Sequence, residues 1–257
     1  MAERPTSNQK DIHMPQEERE IKIQLDREHF EDIHFSVATQ NAVRGIQNQR
    51  DIYYDFPDYR ITNLNRGLRV RFDEEKPSCF EFKSLFYNPY GREANPWFIE
   101  ELTFPFPIGD KGLANLRDLF TRLQIPAPLN TSSEPISFGA LDVLFQKLGL
   151  APSATVTKHR SEYESEEAVF TFDFIEELGY FIEVEAKSGH DPISILEQEL
   201  HILDFRIIRE GYNDMMLRGN PNCISTKDKL ERFRINPSWN ILPTETTYVQ
   251  DLLRRSQ

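Results

Sequence analysis

Apolar and polar residues alternate with a period of two in several separate stretches of this chain. In one stretch Ile21 and Ile23 alternate with Glu18, Glu20 and Lys22, and in a later one Ile182, Val184 and Ala186 alternate with Glu183 and Glu185. A strand points successive side chains to opposite faces, so each stretch predicts a strand with an apolar face and a charged face. Glu18 to Leu25 is the first. Further strands are expected at Asp51 to Asp55, Leu68 to Phe72, Ser78 to Leu85 and Trp97 to Phe106, then at Thr155 to Glu164, Ala168 to Ile175 and Tyr180 to Lys187. Asp73-Glu74-Glu75-Lys76-Pro77 is a polar hairpin connection, and Leu178-Gly179 a turn.

Between these stretches the period lengthens. Phe30, Ile33, Val37 and Val43 predict one or two helices over Arg27 to Gln47, and others are expected over Lys111 to Leu123, Phe138 to Leu148 and Ile193 to Asp204. Asn88 to Pro96 and Ile125 to Pro135 are rich in turn residues and read as loops. Residues 1–15 are polar and patternless and read as a flexible arm, 16–218 as one folded domain, and 219–257 as an extension packing on or trailing from it. This order predicts an antiparallel α+β protein rather than a parallel doubly wound one. Neither GxxxxGK[ST] nor GxGxxG occurs.

Composition narrows the picture. Charged residues make up 28% of the 257, and no run of about 18 apolar residues could cross a membrane. The first ten residues lack the apolar core of a signal peptide, so a cytoplasmic location is expected. Cys79 and Cys223 stand far apart without a CxxC, which argues against zinc. A net charge of −12 argues against general nucleic-acid binding but leaves room for a local basic cavity.

The residues bearing these charges also form ordered motifs: Glu18-Arg-Glu20-Ile-Lys22, Tyr53-Tyr-Asp55-Phe-Pro-Asp58, Leu68-Arg69-Val-Arg71, Phe82-Lys83, Lys158-His-Arg160, Asp173, and Leu178-Gly179-Tyr-Phe181-Ile-Glu183-Val-Glu185. In this order they resemble the CYTH family of triphosphate tunnel metalloenzymes, from about Glu18 to Met216. The resemblance implies an eight-stranded antiparallel β-barrel with flanking helices, whose lumen binds a triphosphate-containing small molecule together with Mg2+ or Mn2+. Residues of the parity of Glu18, Lys83, Arg160 and Glu185 would line it.

Lys22, Arg69, Arg71, Lys83, Lys158 and Arg160 would then neutralise the polyanion, the arginines through paired hydrogen bonds. Glu18, Glu20, Asp173, Glu183 and Glu185 are the implied metal ligands, since hard divalent cations prefer carboxylate oxygen. Lys22 and Glu20 are the expected catalytic groups, and Glu101, rather than Glu100, a possible tunnel acid. Tyr53, Phe80, Phe82, Tyr180 and Phe181 are expected to pack the barrel. The leading expectation is a metal-dependent triphosphatase acting on inorganic, nucleoside or thiamine triphosphate, as a monomer or homodimer. The alternatives are a class IV adenylate cyclase and a non-catalytic polyphosphate- or nucleotide-binding module.

Overall fold

The computed structural model describes residues 16–17, 20–92, 95–126, 134–187, 190–247 and 249–250. In chain order its elements are β1 (Gln16–Glu17), β2 (Glu20–Leu25), α1 (Arg27–Gln40), β3 (Ala42–Asp55), α2 (Arg60–Asn63), β4 (Arg66–Asp73), β5 (Lys76–Arg92) and β6 (Asn95–Pro105). There follow α3 (Asp110–Arg122), α4 (Phe138–Lys147), β7 (Ala151–Glu164), β8 (Ala168–Ile175), β9 (Gly179–Ala186), α5 (Pro192–Gln198), α6 (Tyr212–Met216) and α7 (Thr226–Ile235).

All strand pairings are antiparallel, in the order β1-β6-β5-β4-β3-β7-β8-β9-β2. The two ends of this order are neighbours in sequence. Gln16 and Glu17 pair with Ile99 and Phe98, whereas Glu20 to Leu25 pair with Glu185 to Tyr180. Glu17 and Glu20 are three Cα steps apart, at most about 11 Å, so the sheet must curl until its edges meet. β1 and β2 thus act as one interrupted strand, and the eight-stranded barrel is closed by the chain rather than by a continuous ladder.

Alternation sorts the side chains between the two faces. In β4, Leu68, Val70 and Phe72 are buried on the outer face, while Arg69 and Arg71 point inward. Leu116, Leu119 and Phe120 of α3 and Leu141 and Phe145 of α4 cover the outer face of β3 to β6. Phe30 and Val37 of α1, with Ile195 and Leu196 of α5, cover β2, β8 and β9. Helices α1, α4 and α5 each start where a side chain satisfies a free amide: in α1 Asp26 accepts from the His29 amide at 3.0 Å, in α4 Ser137 from that of Ala140 at 3.3 Å, and in α5 Asp191 from that of Ser194 at 3.1 Å.

Three boundaries differ from the sequence expectation. The helix from Arg27 stops at Gln40, because Asn41 caps it through the Val37 carbonyl and turns the backbone extended. Val43 and Ile46 are exposed strand residues of β3, not a buried helical face. The expected loop at Asn88 to Pro96 is instead largely strand, because β5 continues to Arg92 and β6 begins at Asn95. The helix expected to reach Asp204 ends at Gln198, and His201 takes a positive φ of 55° soon afterwards.

The segment beyond Gly219 is joined to the barrel. The buried Arg66 donates to Glu245 at 2.5 Å and to the Asn240 carbonyl at 2.7 Å, and the Asn240 amide donates to the carbonyls of Leu64 and Leu85 at 3.1 and 2.9 Å. Replacing Asn240 by alanine removes two buried hydrogen bonds and is expected to lower stability by about 1–3 kcal/mol. Urea denaturation checks this, and an unchanged midpoint would show that the extension contributes nothing there.

Candidate functional site

Inside the barrel a cavity of about 310 Å³ is lined by Lys22, Arg69, Arg71, Lys83, Lys158 and Arg160, all six of the cations expected from sequence. They come from four different strands, β2, β4, β5 and β7, each at the inward parity. Glu20, Glu101 and Glu183 also border the cavity, with Glu81 and Tyr212. Its size falls at the lower end of the range for small-molecule sites.

The cations are held by inward carboxylates. Asp51, 1% exposed, takes Arg71 Nε and Nη2 at 2.8 and 3.0 Å, Arg69 Nη1 at 3.2 Å and Lys158 Nζ at 3.4 Å. Arg69 Nε donates to Glu81 at 2.6 Å, and its Nη1 to the Tyr53 hydroxyl at 3.1 Å. Lys22 Nζ lies 3.0 Å from Glu183, and Lys83 Nζ lies 3.1 Å from Glu101. Glu100 faces the other way and receives Arg122 at 2.9 and 3.1 Å.

These contacts set the protonation states. Burial pushes Asp51 towards the neutral acid, but Arg69, Lys158 and Arg71 outweigh it and hold the carboxyl well below its usual range. Glu183 is likewise lowered, with Lys22 and Arg160 overcoming burial. Lys22 is raised, because Glu183 and Glu20 overcome the same penalty. Lys158 goes the other way: burial, reinforced by Arg160, lowers it to about 8.

The implied metal ligands are placed unequally. Glu18 lies outside the described residues. Glu20 stands opposite Glu185 across the β2–β9 ladder, and Glu185 is exposed. Asp173 is fully buried, engaged by Arg160 and Tyr212, and does not border the cavity. Among the described residues no three His, Cys, Asp or Glu side chains are grouped to hold a metal ion. Mg2+ commonly binds through one or two carboxylates with phosphate oxygens and water completing its shell. The two carboxylates that border the cavity, Glu20 and Glu183, therefore fit an ion that arrives with its phosphate ligand, whereas Glu185 does not border it.

Asp51, Glu81 and Tyr212 are absent from the sequence expectation. Glu81 shares the parity of Lys83, and Asp51 that of Tyr53, so extending the period-two rule along β3 and β5 would have found both. Tyr53 itself is half of each kind, packing beside Phe181 and Tyr212 while its hydroxyl meets Arg69. Tyr212 carries no such signal, because it sits at the start of a five-residue helix.

A closed antiparallel barrel with apolar residues outside and paired cations and carboxylates within defines a charged-tunnel protein. The chain belongs to the CYTH family: the CYTH domain pattern matches residues 16–95 and 99–212. Proteins of this family bind triphosphate substrates and are in general metal-dependent. Similar solved structures include PH1012 from Pyrococcus horikoshii OT3, 18% identical with a TM-score of 0.51, the match covering 77% of this chain and 99% of that one. PH1819 from the same organism is 20% identical with a TM-score of 0.50, covering 77% and 97%. At these identities the likeness is one of fold. No curated protein sequence matches the chain. No described helix is long and apolar enough to cross a membrane.

Proposed function

We propose that this protein is a divalent-metal-dependent triphosphatase acting inside the tunnel. The observation that carries this reading is the convergence of six cations on one cavity of about 310 Å³ whose border also carries Glu20 and Glu183. Phosphoryl transfer asks chiefly for positioning and charge stabilisation, and it needs no protein nucleophile. Arg69 and Arg71, fixed by Asp51 and Glu81, present guanidinium groups already oriented for phosphate oxygens, so little side-chain freedom is lost on binding. Lys22 neutralises charge on the phosphoryl group nearest β2, and Glu20 orients the attacking water there. Glu20 and Glu183, with Glu18, would hold the Mg2+ or Mn2+, which supplies Lewis acidity and a more acidic bound water.

The test is incubation of the purified chain and Mg2+ or Mn2+ with inorganic triphosphate, ATP and thiamine triphosphate, resolving orthophosphate, pyrophosphate and cyclic AMP. Orthophosphate without cyclic product supports the reading. Cyclic AMP with pyrophosphate would make the protein a class IV adenylate cyclase, and binding without turnover a polyphosphate- or nucleotide-binding module.

A pH dependence follows from Lys158. It is charged below about pH 8 and neutral above, so its attraction for phosphate fades as pH rises through that value. The profile of kcat/KM is expected to fall on that limb, and Lys158→Met to abolish it. Persistence of the same limb in the variant would assign the titration to another group.

A further inference from the structure

Tyr212 reaches the tunnel from outside the strand pattern. The segment before it is tied to β2, because the Ile208 amide donates to the Lys22 carbonyl at 2.7 Å and Ile207 bridges to Ile23. Tyr212 then enters the end of the barrel formed by β3, β7, β8 and β9, where it and Met215 pack with Tyr53, Val156, Ile175 and Phe181. It is 6% exposed.

From this position its ring faces two of the six cations, and its hydroxyl reaches a third through Asp173. Its hydroxyl donates to Asp173 Oδ2 at 2.9 Å, and the two oxygens of Asp173 accept Arg160 Nε and Nη2 at 2.7 and 2.5 Å. Its ring lies beneath Lys22 Nζ, 4.0 Å from the centroid, and 5.7 Å from Lys158 Nζ. Burial, with Glu183 and Asp173 nearby, raises the phenol far above its usual range, so it remains a donor.

Resting on the reading of the tunnel as a triphosphate site, we propose that Tyr212 is a positioning residue that sets Arg160 through Asp173 and Lys22 and Lys158 through its ring, and that Asp173 serves this relay rather than a metal. A magnesium ligand must offer a lone pair to an ion that keeps water and phosphate in a near-octahedral shell. Asp173 is 0% exposed, is separated from the cavity, and has both oxygens committed to a fork-to-fork pair and a phenol. Glu183 contrasts with it, bordering the cavity while holding Lys22 and Arg160. A guanidinium fixed in its plane binds phosphate with less lost freedom than one that must first be ordered. Tyr212 and Asp173 therefore act on anion affinity, independently of metal.

The experiment uses the full chain and its Tyr212→Phe, Tyr212→Leu and Asp173→Asn variants, with folding checked by thermal melts. Calorimetric titration with inorganic triphosphate in EDTA reads metal-free affinity, and the free Mg2+ giving half-maximal turnover reads the metal. Tyr212→Phe, which keeps the ring, is expected to weaken metal-free binding about threefold to tenfold, the worth of one hydrogen bond. Tyr212→Leu should weaken it further and Asp173→Asn at least as much as Tyr212→Phe, with half-saturating Mg2+ unchanged in both Tyr212→Phe and Asp173→Asn. Unchanged metal-free affinity in Tyr212→Phe overturns the proposal. So does a large rise in half-saturating Mg2+ for Asp173→Asn with metal-free affinity intact. If Asp173→Asn does not fold, the Tyr212→Phe titration alone decides. Failure of the wild-type chain to bind triphosphate at all would instead remove the tunnel reading beneath it.

Discussion

Replacing Asp51 by asparagine is expected to lower the stability of the fold by about 3–5 kcal/mol at neutral pH, the usual consequence of breaking a buried ion pair from one side. Asp51 is 1% exposed and is the carboxylate shared by Arg69, Arg71 and Lys158. Without it, three crowded cations keep only Glu81 as a close counter-charge for the two arginines, and Lys158 loses its nearest one. Because the folded-state pKa of Asp51 is depressed, its contribution is fully present above the unfolded value of about 3.9. It is lost only as pH falls through the lower folded value, so the gap between wild type and variant should persist at pH 5 to 7 and narrow in strong acid. Urea denaturation at several pH values measures this. A loss below about 1 kcal/mol would mean that the cations do not depend on this acid.

The second large effect concerns turnover. On the proposed reading, Lys22→Ala should lower kcat/KM for inorganic triphosphate by about 10²–10³, the usual range for removing one preorganised group that stabilises transition-state charge. Lys22 is the β2 cation, anchored by Glu183 at 3.0 Å and resting over Tyr212. The expected loss of stability is smaller, about 1–2 kcal/mol, because Glu183 retains Arg160 at 3.1 Å. Steady-state kinetics beside a thermal melt separates the two, and full activity in a folded variant would reject the tunnel assignment.

Strands buried on both faces were readable from sequence as short apolar runs bounded by polar and turn residues: β8 runs from Ala168 to Ile175, the same limits that the pattern predicts. The pattern weakened where strands leave the covered part of the sheet. The first half of β3 has exposed Val43 and Ile46, whose spacing mimics a helix, and β5 crosses Pro89, which ordinarily marks a turn. In the site, Lys22, Lys158 and Arg160 were legible as charges at alternate positions, and Arg69, Arg71 and Lys83 through the motifs that resemble the CYTH family. Asp51 and Glu81 were less so, since an acid that balances a cation looks the same in sequence as one facing solvent. Tyr212 was hidden because its role arises from where a short helix docks, which no local periodicity encodes.

The way the barrel closes has a further consequence. Along β6, the backbone groups facing the seam are matched only by Gln16 and Glu17 among the described residues, whereas β2 is secured to β9 over six residue pairs. Loss of that two-residue clasp would leave β2 in place yet turn β6 into an open edge, with unpaired amides and carbonyls available to a strand from another molecule. Among the described residues, the weakest point of this enclosure against self-association is therefore its N-terminal clasp, not its charged interior.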